Sequence, residues 1–464
     1  MTAVDWRAYF AEREAQDLAE FEGFLRIPSI STMPEYAGEV RKAAEWVVAR
    51  MKKAGIPEVE LLETGGHPLI YGRWHVDDDK PTVMIYAHYD VQPPDPLEQW
   101  ISEPFEPQIR DGNIYARGVA DDKGGLFATL LAVEALGKTA GGPPVNLVFF
   151  YEGEEESGSP SVTPFLEREA ARWTCDVVVS ADGLMWDEDN YSLVLSSKGM
   201  AGGQIDIFTA DIDAHSGIYG ATVHNAADVT ARIAASFHDA NGKIAVQGFY
   251  DEVLPVTEQQ VAEIQAIPFD EKEFIGRLGA KATWGEPDYS TLERAWLRPT
   301  LDINGIWSGY LGDGGKTVTP SQGHIKFTCR LVPDQDPQAI LELIRMHVQT
   351  HLPAGCRAEF QMKIGTAQPF SIDRDNPFLI AAEETLRELA GKDPVYGRTG
   401  GTIPIAEVFK KHLGAEMVFF AFGLEACNAH APNEWLRLQD FRTGPIATIM
   451  YLQKMGEIPA EAYR

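Results

Sequence analysis

His88, Asp121, Glu156, Asp182 and His430 are of the residue types that bind divalent metal ions, and they recur at the ends of hydrophobic runs in a chain of 464 residues. The first three sit in dense polar motifs: AHYD around 88, GVADDKGG around 121 and EGEEESGS around 154. Two histidines and three carboxylates are too few to cage two separate ions unless one carboxylate is shared. Sharing holds two ions roughly 3.5–4 Å apart, the spacing that clamps a hydrolytic water. The set therefore reads as the centre of a two-metal hydrolase.

Such a centre needs elements that fix its ligands. TVMIYA (82–87), VNLVFF (145–150) and DVVVSA (176–181) are continuous apolar runs, as expected of strands covered on both faces, and GGLFATLLAVEAL (124–136) is a helix long enough to cross between two of them. A mostly parallel, helix-covered α/β sheet is the natural assembly. His88, Glu156 and Asp182 each fall just beyond the C-terminal end of one such strand, where open α/β sheets place their sites. An amphipathic helix opens the chain, a second runs from about Glu39 to Lys53, and short strands follow near Glu58 and Leu69. After Leu195 the texture changes to alternating strands, GQIDIFT (203–209) and HIKFTCR (324–330), with helices near Asn225–His238 and Gln338–Gln349. This predicts an α+β domain, 197–371, inserted between the two parts of a catalytic domain, 1–196 and 372–464. The second part carries a helix across Pro377–Leu389, the strand EMVFFAFG (416–423) and a closing helix from about Asp440.

The motifs differ in how much they say alone. In His88-Tyr89-Asp90 residues two apart point to one side, so Asp90 is placed to accept the other ring N–H of His88 and fix its tautomer. A plain surface role competes for an isolated triplet of this kind. Gly118 to Gly125 precedes the long helix, and an Asp N-cap with glycines for a tight turn is the ordinary explanation. A cap needs one acid, however, and here Asp121 and Asp122 crowd the loop with Lys123, which allows Asp121 to be aimed inward and shared between cations. Glu152, Glu154, Glu155 and Glu156 share a five-residue span, where like charges repel unless cations or protons neutralise them. A solvated acidic turn is the alternative. With metals present, Glu156 is the ligand and Glu155 the general base that later returns its proton as an acid. Neither Asp182 in SADG nor His430 in CNAHAPNE is specific on spacing.

Composition narrows the partners. A formal net charge of -29, from 69 acidic against 40 basic residues and with no basic cluster, repels phosphate backbones and anionic lipid heads. Nucleic acid and membrane surfaces are excluded as expected partners. The charged N-terminal stretch and the absence of any run of about eighteen apolar residues predict a cytoplasmic protein. Cys175, Cys329, Cys356 and Cys427 contain no close pair and read as buried thiols.

Taken in order, the motifs resemble those of the co-catalytic zinc peptidase family that holds carnosinases, cytosolic non-specific dipeptidases, glutamate carboxypeptidase and acetylornithine deacetylase, over nearly the whole chain. The resemblance implies His88, Asp121, Glu156, Asp182 and His430 as metal ligands with Asp121 bridging, Glu155 as base and Asp90 as the orienting aspartate. The carnosinase-like dipeptidases are the branch it favours. On that likeness His215, in DAHSGIYG, reaches a partner subunit's site and steadies the oxyanion, which implies a homodimer formed through a lid domain. Thr317, in KTVTP, and Arg330, in CRLVP, contact the substrate, and Gly400, Gly401 and Thr402 form a loop that receives the peptide's terminal carboxylate. Glu154, where relatives often carry an apolar residue, and Thr402, where some carry serine, are departures that bear on specificity.

The expected activity is hydrolysis of a dipeptide by a hydroxide bridging two divalent ions. Zinc is the metal implied, and manganese or cobalt suits the same ligands. The rivals are an N-acyl-amino-acid deacylase with the same centre and a non-catalytic relative that binds peptide or metal.

Overall fold

The computed structural model describes residues 4–362 and 365–463, and the chain forms two compact units. One comprises Met1–Leu195, Ile372–Gly397 and Val408–Arg464, and the other Ser196–Ser371 with Arg398–Glu407. The segment holding Gly400, Gly401 and Thr402 thus clusters with the second unit, although the sequence pattern gave it to the 372–464 stretch. Its ties explain why: the Lys198 N–H donates to Gly401 O at 2.9 Å, and Arg330 NH1 to Thr402 Oγ1 at 2.7 Å.

The first unit is built on a six-stranded sheet in the order Glu58–Leu62, Leu69–Trp74, Asn146–Glu152, Thr82–His88, Val177–Ser180, Met417–Phe419. The last four run parallel, and the first two add an antiparallel edge. Every residue of Asn146–Glu152 and of Val177–Ser180 is buried, which is why these strands read as unbroken apolar runs rather than alternating ones. The helix Lys123–Ala140 packs beside Leu438–Met455, and stacked rings of Phe21, Phe127 and Phe441 join both to the opening helix Trp6–Leu25 at centroid distances of 5.1–6.3 Å. The stretch 416–423 is not one strand. Met417–Phe419 pairs with Val177–Ser180, and Gly423–Leu424 makes a separate parallel pair with Leu184–Met185.

The second unit carries a four-stranded antiparallel sheet in the order Thr300–Ser308, Gln322–Leu331, Gly199–Phe208, Arg357–Gln361. Burial along Gln322–Leu331 alternates strictly over most of its length, because one face meets helices Ala226–Ser236 and Pro337–His351 and the other does not. Ile205, Ile207, Ile325 and Phe327 from the sheet meet Ile233, Phe237, Ile344 and Val348 from the helices in its core. Cys175, Cys329 and Cys427 are buried and Cys356 is half-buried rather than buried, and all four are free thiols. Among the described residues no helix is long and apolar enough to cross a membrane.

Candidate active site

In the first unit the parallel strands deliver polar residues to one end of the sheet. His88 closes its strand, Glu155 and Glu156 form a single 3-10 turn three residues after Glu152, and Asp182 follows Ser180 by two. Asp121 lies at the mouth of helix Lys123–Ala140, and His430 on the loop before Trp435–Arg437. The structure brings all of them together. Donor atoms of His88, Asp121 and Asp182 lie within 4.8 Å of one another, as do those of Asp121, Glu156 and His430, and those of His88, Glu155 and Glu156. Asp121 is common to the first two groups: its Oδ1 is 3.0 Å from His88 Nε2 and its Oδ2 is 3.0 Å from His430 Nε2. His430 Nε2 is also 3.2 Å from Glu156 Oε2.

The donor set suits a pair of divalent cations: imidazole nitrogens and carboxylate oxygens from separate elements converge without a thiolate. A second observation agrees. Glu156 Oε1 is buried with no hydrogen-bond partner, as is Asp122 Oδ1, and buried carboxylate oxygens are stable only beside positive charge or donors.

The charges confirm crowding. Burial raises Asp182 to about 6, and the neighbouring Asp121 charge adds to the shift. Burial likewise holds Glu155 well above the usual carboxylate range; His88 opposes this, and the charges of Asp182, Glu156 and Asp121 reinforce it. Hydrogen bonds to Asp121 and Glu156 push His430 up to about 10. Asp121 moves the other way, because its bonds to His430 and His88 outweigh its desolvation.

Several supports were not legible from the motifs. Asp90 is fully buried beside His88, but it is its backbone carbonyl that lies 3.1 Å from Nδ1; Oδ1, at 3.3 Å, is off the line of a good hydrogen bond. Its Oδ2 accepts the Glu156 N–H at 3.1 Å, so one aspartate fixes two of the converging groups. Asp122 does not cap the helix with its side chain; its Oδ2 accepts the His88 N–H at 3.2 Å. Gln92 donates to Glu156 Oε2 at 2.8 Å. Glu154 points away from the centre and accepts from His67 N–H at 2.7 Å and Ser161 N–H at 3.0 Å, which explains an acid at that place without chemistry.

Glu434 is the residue that sequence reasoning passed over. Wholly buried, it accepts from the Gly118, Ala120 and Asp121 N–H groups at 2.8, 2.9 and 3.1 Å and from Arg117 at 2.7 Å. It therefore locks the loop that presents Asp121 to the loop that presents His430, four residues upstream. The His430 loop is strained, since Asn428, His430 and Asn433 have φ of 58°, 60° and 61°. A histidine is uncommon there, and surrounding bonds must hold it. Arg117 to Ala431 O, at 3.3 Å, is one of them. The only signal in the sequence was an acid four residues from His430.

The remaining expected residues belong to the second unit. His215 is exposed on a two-residue strand paired with Val318–Thr319, and the carbonyl of Thr317 accepts the Ser216 N–H at 3.2 Å. Arg330, Thr402 and Gly401 are tied together as described above, with Gly400 next to them.

A parallel sheet with convergent carboxylates and imidazoles at its strand ends defines a metal-dependent hydrolase centre. Residues 84–451 match the model of peptidase family M20/M25/M40, and the chain belongs to that family. It is 29% identical over 456 residues to the Cys-Gly metallodipeptidase of Saccharomyces cerevisiae, covering 94% of each chain, and 29% identical over 408 residues to the human Beta-Ala-His dipeptidase, covering 87% of this chain and 78% of that one. These matches fall in the carnosinase-like dipeptidase branch. Among solved structures, the Saccharomyces di-peptidase superposes with a TM-score of 0.76 at 28% identity over 98% of both chains. The metallo-carboxypeptidase Sso-CP2 of Sulfolobus solfataricus does so with 0.78 at 29% identity, over 95% of this chain and 99% of the other.

Proposed function

We propose that the chain is a dipeptidase that works with two divalent ions, zinc foremost, held by His88, Asp121, Glu156, Asp182 and His430 with Asp121 shared. The observation that carries this reading is Asp121 itself, whose two carboxylate oxygens engage the two histidines separately. The dipeptidase names of the relatives support the substrate class. Divalent ions bound there supply Lewis acidity, acidifying water and offsetting negative charge as it develops. The chain's own groups do the rest. Glu155 takes the proton of the attacking water and hands it to the leaving amine. Asp90 and Asp122 keep His88 in place, and Arg330, Thr402 and the Gly400–Gly401 backbone receive the terminal carboxylate. The four free thiols support a reducing, cytoplasmic setting. Metal analysis of the purified chain, followed by a panel of dipeptides and N-acyl amino acids, tests the reading: hydrolysis of the acyl amino acids alone would replace dipeptidase by deacylase.

A homodimer through the second unit is part of the proposal. Thr300–Ser308 is an edge strand whose Ile303 and Ile306 are exposed, and Ile212, Ile218 and Leu311 are exposed in the same unit. Free strand edges with apolar side chains are pairing surfaces. His215 then serves the partner subunit's centre, where an imidazole N–H stabilises the oxyanion, a contribution of about two to three orders of magnitude in kcat. Mixing His215→Ala with Glu155→Gln, each nearly inactive alone, is expected to restore part of the activity, because a mixed dimer holds one centre with both groups intact. An active monomer in sedimentation at assay concentration rules the trans role out.

A further inference from the structure

Among the described residues two lysines are almost completely buried, and they differ in what holds their charge. Lys123 donates to Ile27 O at 2.7 Å and Phe24 O at 3.3 Å and lies over the Phe24 ring, so carbonyls at the end of helix Trp6–Leu25 satisfy it. Lys198, 2% exposed, has one side-chain hydrogen bond among the described residues, a long one of 3.3 Å to Arg294 O. An ammonium carries three donors. No carboxylate among the described residues is paired with it. Asp302 is the one acid that acts on it noticeably, but Asp302 is exposed and its Oδ2 accepts from Thr300 Oγ1 at 2.8 Å.

The neighbours of Lys198 make its charge less comfortable. Burial draws the ammonium down to about 7, and Arg330 and Arg298 add to the shift. Arg298 is itself neutralised by two 3.0 Å bonds to Glu286. Arg330 is not: its one side-chain bond among the described residues is to the Thr402 hydroxyl. The backbone of Lys198 holds the same loop, through Gly401 O, and Arg330 faces Met200 two residues along the neighbouring strand register. Arg330 through its side chain and Lys198 through its backbone therefore meet at one glycine loop in the second unit, and among the described residues neither side chain is paired with a carboxylate. Desolvated, unpaired cations are unfavourable unless an anion completes them.

We infer that Lys198 is a specificity-determining residue: with Arg330, Thr402 and the Gly400–Gly401 backbone it makes the receiver of the substrate's terminal carboxylate doubly cationic. The inference rests on the dipeptidase reading. Its test compares a dipeptide with its C-terminal amide in the wild-type chain, Lys198→Met and Lys198→Arg. Lys198→Met is expected to raise KM for the free acid about tenfold to a hundredfold, the worth of one charge-assisted hydrogen bond, with kcat little changed and the amide unaffected. The preference for acid over amide collapses, and Lys198→Arg restores most of it because the charge returns. An unchanged acid-to-amide ratio in Lys198→Met overturns the inference, and so does an equal loss for both substrates, which marks a packing role. If Lys198→Met does not fold, Lys198→Gln is read by the same ratio. A wild-type chain that cleaves no dipeptide overturns the parent reading and this one together, whereas a cleaving wild type with an unchanged variant ratio overturns this one alone.

Discussion

Glu155→Gln is expected to lower kcat by about two to four orders of magnitude while leaving fold, metal content and KM close to those of the wild type. The prediction follows from how the four clustered glutamates divide their work. Glu152 accepts from Tyr86 inside the strand, Glu154 is held by His67 and Ser161, and Glu156 faces His430 and Gln92. Glu155 alone combines a place beside His88 and Glu156 with a carboxyl whose proton is held well above the ordinary range by burial. A proton carrier needs an affinity near the working pH, and a carboxyl shifted up in the metal-free chain is brought back by neighbouring cations. Glutamine keeps the shape but carries no proton, so substrate binding survives and transfer does not. Metal content by elemental analysis and the kcat–KM split by steady-state kinetics check both halves. Loss of metal in Glu155→Gln would make the residue a ligand, and full turnover would remove it from the mechanism.

The sequence revealed the frame better than its joints. Fully buried parallel strands leave unbroken apolar runs, so the sequence places strand ends at Ala87, Phe150 and Ala181, within two residues of where the strands stop, at His88, Glu152 and Ser180. The strict alternation of Gln322–Leu331 likewise exposed a half-covered sheet in the second unit. Motifs give residue types but not which oxygen faces what. Asp90 was expected to grip His88 with its carboxylate, and the backbone carbonyl lies nearer. Glu434 reaches loop N–H groups more than 300 residues away in sequence, a pairing that no local pattern records. The break between Met417–Phe419 and Gly423–Leu424 depends on which neighbour each segment finds, since both are equally apolar. Lys198 sits beside a strand start with no motif around it, and only its burial without a carboxylate distinguishes it.

Removing the ions is expected to abolish turnover and to destabilise the first unit by an amount that grows with pH. In the metal-free chain Asp182 holds its proton up to about 6 and Glu152 up to about 7, both chiefly through burial, against unfolded values of 3.8 and 4.5. The folded state then binds more protons than the unfolded one across that interval, so stability falls as pH rises through it. His430 works in the same direction. Raised to about 10, it contributes stability that is complete below its unfolded value of 6.5 and is lost as pH climbs toward 10. Asp121, with its affinity lowered, is ionised in both states above pH 5 and adds no slope there. Cations invert the trend, because they bind the deprotonated ligands and hold on more tightly as protons leave. At free metal a thousandfold above Kd the gain is about 4 kcal/mol, a rise of several degrees in Tm for a unit of this size. Calorimetry with and without a strong chelator at pH 5.5 and pH 8 is expected to show the larger Tm gap at pH 8, with activity returning on addition of zinc. A gap that narrows at pH 8, or a chelated chain that stays active, means that the carboxylates meeting at Asp121 are neutralised by their own histidines and not by metal.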